Sequence, residues 1–152
     1  MTRNALISAV VTLLLAVLGV LGYKLSRRPA TADVTLAVSS CDPGLQACTA
    51  VLPGGGQLEL SIAPRPIRPL RALDLSIRIS GLEARQVELD FAGSDMQMGY
   101  NRPVLVDADG HFTGRTTLPV CVSGSMVWVV TALVSMDGGR VAIPFRLTVA
   151  AR

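Results

Sequence analysis

Two kinds of apolar pattern divide this chain. From Ala5 to Tyr23 the sequence ALISAVVTLLLAVLGVLGY runs 19 residues without a charge. At about 1.5 Å rise per residue, such a helix nearly matches a hydrocarbon core of about 30 Å. The expectation for Ala5–Tyr23 is a transmembrane helix acting as an uncleaved signal anchor, after a short flank at 1–4 and before a polar, Pro-containing linker at 24–33. From residue 34 onward the pattern is β-like, in short runs separated by turn formers.

Leu73-Asp74-Leu75-Ser76-Ile77-Arg78-Ile79 alternates apolar and polar, the signature of a strand with one buried face. Val87, Leu89 and Phe91 alternate with Glu88 and Asp90 in the same way. Gly54-Gly55-Gly56 separates Ala47–Leu52 from Gln57–Ile62 and reads as a hairpin, and Asp107-Ala108-Asp109-Gly110 reads as a second turn. Ser125–Ser135 is almost continuously apolar and β-branched, which fits a central buried strand containing Trp128. Pro144 interrupts Val141–Val149, placing that strand at an edge or a bulge. Pro64, Pro66 and Pro69 forbid a central strand over 63–70, which reads as an extended edge or an inter-sheet crossover. The expected fold is all-β: an antiparallel, immunoglobulin-like sandwich of about eight strands over residues 34–152, within a range of 7–9.

Charge changes the picture little. Arg3, Lys24, Arg27 and Arg28 flank the apolar run, and from Asp33 onward 10 arginines face 11 acids. The net +3 is thus a property of the N-terminal segment. No basic patch with interleaved aromatics is present, so no nucleic-acid partner is expected. The three cations after Tyr23 favour a cytoplasmic C-terminal flank, whereas a β-rich, Cys-bearing domain behind a signal-like segment favours export. The adopted expectation is a bacterial inner-membrane anchor with the domain in the periplasm.

Candidate chemistry centres on FAGSDMQMGYNRP, Phe91–Pro103. Met96 and Met98 lie two apart among polar residues and turn formers, so an extended backbone puts both thioethers on one face. Thioethers are soft ligands that select Cu(I); they are also common packing residues. Cys121, with Met126 beyond a Ser-Gly-Ser turn, adds a soft thiolate, and His111, the single histidine, is an additional candidate ligand. Plain core packing is the competing role of Cys121, Met126 and Trp128. Cys41 and Cys48 lie seven apart around Asp42-Pro43-Gly44, the most local of three possible disulfides. No hydrolase elbow, zincin helix, phosphate loop or dinucleotide fingerprint occurs, so no enzyme is expected.

FAGSDMQMGYNRPVL, followed by DGHFTGRTTLPVC and MVW, resembles small bacterial membrane-anchored proteins with FixH- and YtkA-like domains, over about residues 57–149. The resemblance implies an immunoglobulin-like sandwich working beside copper handling or respiratory oxidase biogenesis, with Met96 and Met98 as functional positions. The resulting expectation is a Cu(I)-binding accessory protein passing copper to an oxidase or chaperone. The alternative is a non-metal structural or assembly subunit of an inner-membrane complex that uses the sandwich as an interaction module.

Overall fold

The computed structural model describes residues 3–26, 34–94, 99–119 and 126–149; the side chains of 3–6, 9, 24–26 and 126 are outside that description. The chain divides into two units, Met1–Thr31 and Ala32–Arg152.

In the first unit a 24-residue helix, α1 (Arg3–Ser26), forms over the apolar run. Its described large side chains, from Ile7 to Tyr23, are all exposed. The transmembrane expectation is corrected here: among the described residues, no helix is long and apolar enough to cross a membrane. The anchor, inner-membrane and periplasmic expectations rested on that span and fall with it.

In the second unit the period-two stretches become strands, because that period turns every apolar side chain to one face. Among the described residues there are nine: β1 (Val34–Thr35), β2 (Cys48–Val51), β3 (Gln57–Ala63), β4 (Ala72–Ser80), β5 (Gln86–Gly93), β6 (Val106–Ala108), β7 (His111–Thr117), β8 (Met126–Met136) and β9 (Gly139–Val149). They form two sheets, ordered β1-β9-β8-β5 and β2-β3-β4-β7-β6. All neighbours are antiparallel except β1, which runs parallel to β9. Leu58, Leu60, Leu75, Ile77 and Phe112 of one sheet share a single buried cluster with Leu89, Phe91, Val130, Phe145 and Leu147 of the other. Trp128, 1% exposed, lies in that core. Each fully buried Leu, Ile, Val or Phe of this core contributes about 1.5–3 kcal/mol relative to exposure.

Two proline expectations change. The 63–70 segment is neither an edge strand nor a crossover: β3 and β4 pair directly up to Ala63↔Asp74, so it forms the connection of a hairpin within one sheet. The crossover lies elsewhere. Residues 101–105 run beside β5, through Leu89 N–H to Pro103 O (3.1 Å) and Leu105 N–H to Val87 O (2.9 Å), and the chain then passes to the other sheet as β6. Pro144, expected at a bulge or an edge, sits in an unbulged register opposite Thr131, between β8 and β1. Its carbonyl accepts from Ser39 N–H, so its missing donor faces the same side. There the ladder is already interrupted between Thr35 and Ser39, so the proline removes no regular bond.

Candidate functional site

The strand directions sort the connections to two ends of the sandwich. The end of β3, the start of β4 and the end of β7 meet at Ala63↔Asp74 and Ala72↔Thr117. The end of β5 and the start of β8 meet at Gly93↔Trp128, beside the end of β9 at Leu147. This end therefore carries the Cys41–Cys48 loop, the 64–71 strap, and the described residues that flank 95–98 and 120–125.

The disulfide is present: Cys41 and Cys48 are bonded at 2.04 Å with Cα atoms 5.8 Å apart. Between them Asp42 organises the turn. Its Oδ1 accepts from Gly44 N–H (2.8 Å) and its Oδ2 accepts from Thr148 N–H (3.0 Å), pinning the loop to β9 across 106 residues of sequence. Gly44 fits because a Cβ there would lie 2.8 Å from Leu147 Cδ1. Arg65 joins the strap to the same loop, donating to Pro43 O (3.4 Å) and Ser61 Oγ (3.2 Å). Asn101 ties the crossover strand to β7: its Nδ2 donates to Thr117 O (3.1 Å) and its Oδ1 accepts from Thr116 Oγ1 (2.8 Å). Arg102 bonds Asp90 at 3.0 Å with its ring contact to Tyr100 at 5.2 Å. The Asp90 hydrogen bond raises the Arg102 pKa, with burial opposing it, so this guanidinium stays charged throughout the stable range of the fold.

On this fastened base three large apolar side chains stand in solvent: Leu45 (79% exposed) on the disulfide loop, Leu70 (65%) on the strap and Tyr100 (82%) before the crossover strand. Leu70 is the anomaly. Arg68-Pro69-Leu70-Arg71 is a turn with proline at its second position, and Leu70, at the third, has φ +59°. Such a position favours glycine, because in the left-handed region Cβ crowds the backbone at about 1–2 kcal/mol. Burial does not offset that cost here. Sequence reasoning marked the prolines of the strap and missed Leu70, Arg68, Arg71, Tyr100 and Asn101. The signal available was Pro69 followed by leucine where such a turn usually takes glycine.

The copper expectation is corrected. Among the described residues there is no group of three or more His, Cys, Asp or Glu able to hold a metal ion. Met96, Met98 and Cys121 lie outside the described residues, as does the side chain of Met126. His111 is the one metal candidate whose side chain lies among the described residues. His111 begins β7, at the opposite end of the sandwich, with Nε2 2.8 Å from Ser76 Oγ. Six residue steps separate it from Thr117, about 20 Å along a strand. It is therefore placed at the other end of β7 from Thr117, which the described residues flanking 120–125 adjoin.

The comparisons do not sustain the FixH- and YtkA-like resemblance. No family model matches the chain, and no curated protein matches it. Among solved structures the chain is similar to an engineered protein determined by the Northeast Structural Genomics Consortium, with 19% identity and a TM-score of 0.44. That similarity covers 68% of this chain and 21% of the solved one, so this chain spans about a fifth of it.

Proposed function

We propose that the sandwich is a protein-interaction module that binds through its disulfide-bearing end, with Leu45, Leu70 and Tyr100 as contact residues. The observation that carries this reading is Leu70. A bulky side chain is held at positive φ and displayed to water, which neither backbone preference nor burial explains. Sites that keep a strained backbone conformation are enriched in binding and switching roles. Loops carried on a rigid sandwich are also where binding residues concentrate. Tyrosine and arginine are among the residue types that supply most of the energy in protein interfaces, and Tyr100 is of that kind.

The test is site-specific photocrosslinking in cells that make the full chain. A photoreactive residue is placed in turn at Leu45, Leu70 and Tyr100, with Val51 as control; Val51 is 66% exposed and lies at the opposite end of β2. The expected result is one shared adduct from the three loop positions and none from position 51. Absence of an adduct from all three, or the same adduct from Val51, overturns the reading.

A further inference from the structure

We infer that the partner segment is acidic: a stretch of polypeptide carrying carboxylates beside one or two large apolar side chains, docking across the turn whose first and fourth residues are Arg68 and Arg71, with Leu70 between them in the chain. This inference rests on the reading of that end as an interaction surface and supplies the chemistry of what it binds.

The charge arrangement carries it. The strap APRPIRPLR, residues 63–71, contains three arginines and no acid. Arg65, Arg68 and Arg71 are all exposed. Arg65 is committed to Pro43 O and Ser61 Oγ. Arg68 and Arg71 occupy the first and fourth positions of the turn, which brings their Cα atoms within about 7 Å of each other. Among the described residues neither has a carboxylate within ion-pair distance.

The nearby described carboxylates are already taken. Asp42 accepts two backbone N–H groups, Asp74 is bound by Arg115 at 2.6 Å, and Asp90 is bound by Arg102 at 3.0 Å. The asymmetry is local, because from Asp33 onward acids outnumber arginines 11 to 10. Two forked cations spaced by a turn match carboxylates in geometry as well as charge. A nucleic acid would need stacking rings interleaved with the cations, and Tyr100 is the single aromatic residue among these exposed contact side chains.

The experiment pans the full chain against a degenerate short-peptide library, then measures the selected consensus peptide by fluorescence anisotropy. The variants are Arg68→Glu with Arg71→Glu, and Arg68→Gln with Arg71→Gln. Both residues are exposed, and an unchanged melting temperature confirms that the variants fold. The expected pool is net acidic with large apolar anchors. Its affinity falls on the order of tenfold in the Glu variant, less in the Gln variant, and weakens with added salt.

A neutral or basic pool, no enrichment, or an acidic peptide indifferent to both variants overturns the inference. So does preferential binding of a single-stranded oligonucleotide, of anionic vesicles or of a second copy of the chain. The two proposals fail separately. If photocrosslinking at Leu70 captures its adduct equally in the Glu variant, the docking end stands and its acidic partner falls. If the parent chain gives no adduct from Leu45, Leu70 or Tyr100, the docking end falls.

Discussion

The two ends of the sandwich solve the same backbone problem with different residues. At the hairpin end the chain takes positive φ at Gly54, Gly55, Gly81, Gly110 and Gly139, and at Asp109, a residue type that tolerates the left-handed region. At the disulfide end the described positive-φ residue is Leu70. The hairpin end follows local backbone preference, and its turns are short. The disulfide end is held by a covalent bond and by Asp42, Arg65 and Asn101, and it accepts a backbone conformation that local preference opposes. Stability at one end is intrinsic to the turns; at the other it is imposed from outside the loop that needs it.

This contrast can be broken where it is strongest. Removing the disulfide with Cys41→Ala and Cys48→Ala releases an eight-residue loop, with an expected loss of about 2.5 kcal/mol in urea denaturation. Photocrosslinking at Leu45 should weaken with it. Asp42→Ala leaves the disulfide intact but strips two charge-assisted bonds, so a loss of about 2 kcal/mol is expected. If that variant is as stable as the parent, the pinning of the loop to β9 has been misread.

The remaining two predictions exchange the habits of the two ends. A Cβ at Gly110 meets only ordinary contact with Ile79 O at 3.5 Å, so Gly110→Ala isolates backbone strain. An increase of about 1 kcal/mol in instability is expected, with binding at the far end unchanged. Leu70→Gly relieves strain and should stabilise the domain by about 1 kcal/mol or slightly less, the entropy of glycine offsetting part of the gain. The same substitution should abolish partner capture by the probe at Tyr100. A destabilised Leu70→Gly variant would show that the side chain serves the fold and not a partner.

Much of the sheet architecture was legible because alternation is a local property. Leu73–Ile79 became the centre of β4, and Val87, Leu89 and Phe91 became the inner face of β5. Asp42-Pro43-Gly44 turned as its chemistry required, and the short spacing of Cys41 and Cys48 favoured their pairing. Reading stopped where partners are distant in sequence. The place of Pro144 depended on β1, more than a hundred residues earlier, leaving its ladder incomplete. The crossover fell to Asn101–Ala108 instead of the proline strap, because β3 and β4 already satisfied each other. His111 looked like an extra ligand by type alone; the structure adds its place at the start of β7 and its contact with Ser76 Oγ, relations that depend on strand register.

By itself the sequence determined strands, turns and the inner face of each sheet, since side-chain period, glycine and proline act over a few residues. The helix over the N-terminal apolar run follows from the same local rules, whereas its expected role as a membrane span did not survive. Only the tertiary structure brought the disulfide loop, the strap and the crossover strand to one end. It also tied the nearby described carboxylates to other groups and left Leu70 exposed. Those relations depend on the registers of strands far apart in the chain, and a register is fixed by packing two faces together rather than by any stretch of residues alone.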